Sequence, residues 1–193
     1  TVANAFGADW SDMDWNPHLT SEPWVNAVTY YVELMNNYGP PGVSTNGHNE
    51  NRALFASGNC ATWVDATSAA GYIFNPSESR VADTTAFTQA PKQVTDKGTG
   101  WFWAWSLAVP SSSQKVDIAK DFIEWSTSKD YVRLVGETEG WVAAPPGTRQ
   151  STYEIQEYLD AAPFADFVRD AMLAADPSDA TMEPVPYTGI QYA

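Results

Sequence analysis

Apolar and polar positions along this 193-residue chain follow two periods, and each change of period marks an element. The stretch from Gly98 to Trp125, GTGWFWAWSLAVPSSSQKVDIAKDFIEW, shows both. Trp101 to Val109 is apolar almost throughout and rich in aromatic and β-branched residues, which predicts a strand. Trp101, Trp103, Trp105, Leu107 and Val109 would share one face of it, because strand side chains alternate with period 2. Pro110-Ser111-Ser112-Ser113 breaks the run. Ser113 is then the expected N-cap of a helix whose Val116, Ala119, Phe122 and Ile123 form one apolar stripe. Three indoles on one strand face, each burying roughly 150–250 Å², exceed what a packed sheet face usually absorbs. At least one is expected at a cleft or an interface; a thick aromatic core is the competing explanation.

The helical period recurs along the chain. Ser21-Glu22-Pro23 opens a helix with Val25, Val28, Tyr31, Val32 and Met35 as its buried stripe, and Gly39-Pro40-Pro41-Gly42 ends it. A polar turn from Ser44 to Asn51 leads to a short helix around Arg52 to Ala56, closed by Gly58. Cys60 to Asp65 (CATWVD) and Thr85 to Ala90 read as strands, and the small residues from Ala66 to Gly71 open another helix. Beyond Trp125, Ser128 caps a helix with Tyr131, Val132 and Val135 inward and Gly140 at its end. Trp141 to Arg149 is a proline-rich loop. Helices follow from Ser151 and across Pro163 to Ala175, the second with Phe164, Phe167, Val168 and Met172 on its apolar side. The tail from Glu183 to Ala193 is expected to be extended. Strands alternating with helices make the expected class α/β.

Charge and motifs then narrow the function. A formal net charge of −14 repels phosphate backbones and anionic lipid, which excludes nucleic acid as a partner. No run of about 18 apolar residues occurs, so no transmembrane helix and no direct membrane insertion are expected. Cys60 is the only cysteine, which rules out an intrachain disulfide and a zinc ribbon; it reads as a small buried hydrophobe. Asp9, Asp12 and Asp14 alternate near the start, but the turn glycine and distal glutamate of a calcium loop are missing, so a solvated loop is expected. Neither a phosphate-cradling glycine loop nor a nucleophile elbow is present, and the two histidines, His18 and His48, lack metal-ligand spacing. No metal or cofactor is expected. Hydrolysis of glycosides by paired carboxylates stays open as an alternative, given 24 acidic residues.

Indole faces and a few polar groups at strand ends suit sugars and polyols. These ligands offer C–H faces to tryptophan and hydroxyls to charged or amide groups. Asp65, at the end of CATWVD, can accept two hydroxyl protons by charge-assisted bonds. It can also cap the helix that follows. Arg149 can supply donors, and Trp63 shares the predicted strand face with Asp65.

Four stretches, in order, carry a resemblance: NENRALFASGNCATWVDATSAAG, GWFWAWSLAVPSSSQKVDIAKDFIEWSTSKDY, EGWVAAPPGTRQSTY and PYTGIQY. They resemble extracellular solute-binding proteins of ABC importers, in particular the mannitol/sorbitol-type polyol binders. The resemblance implies a periplasmic-binding-protein-like fold of two α/β lobes around a hinged cleft. It implies a periplasmic or extracellular location, a polyol or sugar ligand, ABC permease membrane subunits as partners, and binding without catalysis. By the same likeness the chain is mainly the second lobe of a longer one, with a first lobe before Thr1 and closing helices after Ala193. Residues 1–90 would be a second-lobe α/β part. Residues 91–128 would be a hinge crossing with a strand–helix unit of the first lobe, and 129–193 a helical return with a terminal extended segment. Asp65 in WVDA and Trp105 in WAW, with Trp103 beside it, would line the cleft. Trp141 and Arg149 of GW…PPGTR, and Tyr187 and Gln191 of PYTGIQY, join them as ligand-binding candidates. The chain departs from the family pattern at Ala8-Asp9, where relatives carry Gly-Arg, and at His48, where they carry Phe. A carbohydrate-binding module is disfavoured by the many helix signals.

Overall fold

Local signals start and stop the helices. The computed structural model describes residues 2–12, 14–96, 105–145, 147 and 149–175. Its α-helices are α1 (Val2–Ala5), α2 (Glu22–Tyr38), α3 (His48–Ala56), α4 (Ala70–Ile73), α5 (Val116–Ser126), α6 (Lys129–Glu139), α7 (Gln156–Ala161) and α8 (Ala165–Leu173). Helix α2 begins after Ser21 with Pro23 in its first turn and ends at Gly39. Helix α6 begins where the Ser128 hydroxyl accepts the Tyr131 N–H at 3.1 Å, and ends at Gly140, whose φ of 91° suits glycine. Gly58, at φ 80°, follows α3 as expected. Ser113 sits two residues ahead of its expected role. Its Oγ accepts the Lys115 N–H, and Lys115 itself is the N-cap residue of α5.

The chain divides into two compact units. The first gathers residues 1–46 with described parts of 88–103 and 171–193. In it the Ala5 carbonyl accepts the Val94 N–H at 3.0 Å, and the Trp24 indole N–H donates to the Asp9 carbonyl at 2.6 Å. Trp10 meets Trp24 edge-on at 5.4 Å, and Phe6 lies 5.5 Å from Tyr30. The buried positions here are Ala5, Ala8 and Ala27. Asp12 orders its loop by accepting the N–H groups of Asp14 and Asn16 and the Asn16 side-chain amide. That amide, before the two backbone groups, holds its carboxyl below the usual range.

The second unit comprises residues 47–87 and 104–170. Its core is aromatic. Phe74 lies 5.5 Å from Phe164 and 5.6 Å from Phe87, which in turn lies 5.1 Å from Phe167. Tyr158, Phe164, Val168 and Thr152 are its most deeply buried side chains. Short 3₁₀ turns (Thr67–Ala69, Ala82–Thr84, Trp141–Ala143 and Gln150–Glu154) join the helices. The helix expected from Ser151 is thus a 3₁₀ turn that passes into α7.

Two expectations are corrected. Cys60–Asp65, Thr85–Ala90 and the described part of the tryptophan strand, 105–109, form no β-ladder; among the described residues the sole pairing is an isolated antiparallel bridge between Ser11 and Pro17. Side-chain pattern prescribes a pleated face, but a strand also needs a neighbouring backbone about 4.8 Å away. The apolar stripe of α2 is also largely uncovered among the described residues, while on α5 Val116, Ala119 and Ile123 are half-buried and Phe122 is exposed. Val25 is 56% exposed and Phe122 57%, and Val28, Tyr31 and Val32 are exposed as well. Periodicity shows which face is apolar, not what lies against it. Trp101, Trp103 and the segment 183–193 with Tyr187 and Gln191 lie outside the described residues.

Gly136, inside α6, explains the place of Trp141. A Cβ there would lie 2.3 Å from the Trp141 ring, so the indole packs directly on the helix backbone. We expect Gly136→Ala to destabilise the protein by about 1–2 kcal/mol, the cost of overpacking less the gain in helix propensity. Denaturant unfolding should show the loss, and the Trp141 emission should shift.

Tyr153 and Tyr158 generate a pH prediction. Burial pushes the Tyr153 phenol up from 10.0 to about 12, and burial followed by Tyr153 raises that of Tyr158. Between pH 10 and 12 the unfolded chain therefore releases protons that the folded one retains, and stability falls as pH rises. Urea midpoints across that interval should decline less steeply in Tyr153→Phe.

Candidate functional site

Helix α3 and the segment that follows it bring the candidate carboxylate its neighbours. His48, Arg52 and Phe55 fall at i, i+4 and i+7, so they share one face of α3. On that face the Trp63 ring lies 5.4 Å from His48 and 6.0 Å from Phe55. The Arg52 guanidinium sits 4.3 Å above the Tyr72 ring, a cation–π contact. Gly47 precedes the helix and donates its N–H to the Glu50 carboxylate at 2.9 Å. Backbone N–H bonds from Glu50 and Gly47 hold that carboxyl below its usual range.

Asp65 is reached at the end of this segment. Its Oδ1 accepts the Ala66 N–H at 2.7 Å, and its Oδ2 lies 3.1 Å from His48 Nδ1. A carboxylate only accepts, so Nδ1 carries the proton in that bond. The alternative role as a helix cap does not hold: Ala66 occupies the cap position of the Thr67–Ala69 turn, which has no side-chain cap bond. An ionised carboxylate has about four lone-pair sites. Two are used here. The rest, on a side chain 29% exposed, can receive two further donors.

The other described candidates lie elsewhere in the same unit. Trp105 is 81% exposed in the segment leading to α5. Trp141 is half-buried against Gly136. Arg149 donates through Nε to the Thr127 carbonyl, and it lines a surface depression of about 470 Å³ with Lys129, Gln150, Ser151 and Glu154. A neighbouring one of about 250 Å³ is lined by Lys129, Asp130, Val132, Arg133, Ser151, Thr152 and Ile155. Asp65 and Trp105 line neither. Trp103, Tyr187 and Gln191 lie outside the described residues.

Sequence reasoning did not bring His48 beside Asp65. It placed the residue in a polar turn, whereas α3 starts there, four positions before Arg52. The signal was local: Gly47 with Glu50 three residues on is a helix-start pattern. Among the described residues no cluster of three histidine, cysteine or acidic side chains suits a metal ion. Cys60 is a half-buried free thiol. No described helix is long and apolar enough to cross a membrane.

Residues 1–133 match the family described as bacterial extracellular solute-binding protein. Over 191 residues, 99% of the chain, it is 50% identical to a mannitol-binding protein of Pseudomonas aeruginosa, of which it covers 44%. A crystal structure of an ABC transporter solute-binding protein from Agrobacterium vitis S4, with bound D-mannitol, superposes with a TM-score of 0.88 at 48% identity. That match covers 100% of this chain and 46% of that one. A ribitol complex of a solute-binding protein from Agrobacterium radiobacter K84 gives a TM-score of 0.80 at 21% identity, covering 95% of this chain and 45% of the other; it supports the fold alone. The chain thus spans less than half the length of these relatives. Its fold is periplasmic-binding-protein-like, and the chain belongs to the bacterial extracellular solute-binding protein family.

Proposed function

We propose that the whole protein captures a linear polyol, D-mannitol first among them, and delivers it to the membrane subunits of an ABC importer. One observation carries this reading: identity of 50% to a mannitol-binding protein, together with 48% to a relative holding D-mannitol. The site chemistry supports it. Asp65 retains acceptor capacity for neighbouring hydroxyls, and Trp105 exposes an indole face suited to C–H groups. Trp141, Arg149, Trp103, Tyr187 and Gln191 are proposed as further ligand contacts on the motif likeness. Family membership supports a periplasmic or extracellular location and binding without catalysis. D-mannitol recovered unchanged after incubation would agree with a binder, and a modified product would overturn that part.

Asp65→Ala in the whole protein should weaken D-mannitol binding by roughly 1.5–3 kcal/mol, the range for hydrogen bonds to a charged group. Asp65→Asn keeps shape and part of the acceptance and should lose less. Titration calorimetry reads both, and wild-type affinity in both folded variants refutes the assignment.

Affinity should fall in the order Trp, Phe, Ala at position 105, because the stacking face shrinks and then disappears. The ligand-dependent change in tryptophan fluorescence should be lost in Trp105→Phe. A full signal in that variant would move the stacking role to another indole.

A further inference from the structure

We propose that His48 is a positioning residue for ligand: its Nδ1–H fixes the Asp65 carboxylate in the orientation that receives the polyol hydroxyls. The inference rests on the reading of Asp65 as a ligand-binding carboxylate. Asp65 stands on a segment, residues 61–66, that has no ladder bonds among the described residues. The Ala66 N–H secures one oxygen but leaves the carboxylate plane free to swing about that contact. The bond from His48, 3.1 Å to the other oxygen, removes that freedom. His48 can do this because it is itself held. Its backbone is the first residue of α3, and its ring lies against Trp63, which Phe55 backs two turns along the same helix. Both partners stay partly open to solvent, with side chains 41% and 29% exposed, so a ligand can reach the carboxylate. At that exposure the pair adds little stability. Its worth is directional. A carboxylate already oriented loses less rotational freedom when hydroxyls bind, which is how preorganisation raises affinity.

Ring packing and hydrogen bonding make opposite demands on position 48, which gives a clean test. His48→Phe keeps a ring for Trp63 and removes the donor. His48→Asn loses the ring and places an N–H close to where Nδ1 stands. D-mannitol affinity of the whole protein is measured by titration calorimetry for both, for Asp65→Asn and for His48→Phe with Asp65→Asn. Ligand-free melting temperatures are recorded alongside. We expect His48→Phe to bind about three- to tenfold more weakly, the fold-change of one hydrogen bond. His48→Asn should recover most of that loss, and the double variant should be no weaker than Asp65→Asn alone, since both act through one carboxylate. Wild-type affinity in His48→Phe, with or without a lower melting temperature, would reduce His48 to a tether of the segment and overturn the proposal. So would equal losses in Phe and Asn, or additive losses in the double variant. An unchanged Asp65→Asn would overturn the reading of Asp65 itself, and this inference with it. A weakened Asp65→Asn beside an unaffected His48→Phe would overturn this inference alone.

Discussion

The aromatic contact between Phe74 and Phe164, 5.5 Å apart, carries the second unit. It joins two stretches separated by 90 positions in sequence, and Phe87 and Phe167 extend it on the same two stretches. Closing so long a loop is entropically unfavourable, and the cost grows only slowly with length. What offsets it is the dense apolar burial around Tyr158, Phe164 and Val168. The candidate carboxylate depends on this indirectly. Asp65 precedes the Thr67–Ala69 turn and α4, and α4 ends one residue before Phe74. Anchoring Phe74 therefore sets where the segment carrying Asp65 must run, and α3 meets it from the other side through Trp63. Deep packing and an open binding group are coupled over nine residues.

What was legible in the sequence follows from the range of the forces involved. Ser21, Gly39, Ser128 and Gly140 mark helix ends correctly because the signals act within one turn of the chain: Pro23 suits the first turn of α2, and the Ser128 hydroxyl caps α6. Asp65 stood out as a candidate on its chemistry alone, a carboxylate at the end of an apolar run. Its hydrogen-bond partner did not, because His48 lies 17 residues away and its helix had been started too late. Strands were least legible. CATWVD has the composition of a strand, yet its ladder depends on a backbone that no local pattern specifies. Trp141 is a milder case. Its candidacy came from a motif, while its place against Gly136 comes from the one position in α6 where an indole can lie on bare backbone.

The half-exposed faces of α2 and α5 belong to the same physics. An amphipathic helix gains most of its stability from burying its apolar stripe, since propensity alone leaves short helices marginal in water. Val25, Val28, Tyr31 and Val32 on α2, and Ile118, Phe122 and Trp125 on α5, still present apolar surface. Each such side chain is worth about 1.5–3 kcal/mol when fully buried. Stripes of this size on two helices hold a substantial free energy that the contacts among described residues leave unrealised. Apolar exposure on α2 and α5 is therefore different in kind from that of Trp105. It follows a helical stripe, whereas the 81% exposed Trp105 stands at the start of 105–109, which holds no helix or ladder among the described residues.

Charge decides which ligands such a site admits. With a net charge of −14, the protein repels anions, and a neutral polyol pays no electrostatic penalty on approach. A carboxylate acts at short range by acceptance alone, so in the proposed site Asp65 would recognise hydroxyl donors and be indifferent to ligand groups that cannot donate. The two bonds already made to Ala66 and His48 sharpen this further. They leave a fixed number of lone-pair sites, in directions set by the protein and not by the ligand. A ligand lacking one of the hydroxyls would leave a carboxylate lone pair stripped of water and unpaired. That loss exceeds the net worth of the bond itself, because a lone pair that the bound ligand shuts off from water and leaves unpaired costs its desolvation. Selectivity in the proposed site thus comes less from attraction to the right polyol than from the penalty on a wrong one, and it grows with every contact that holds the carboxylate still.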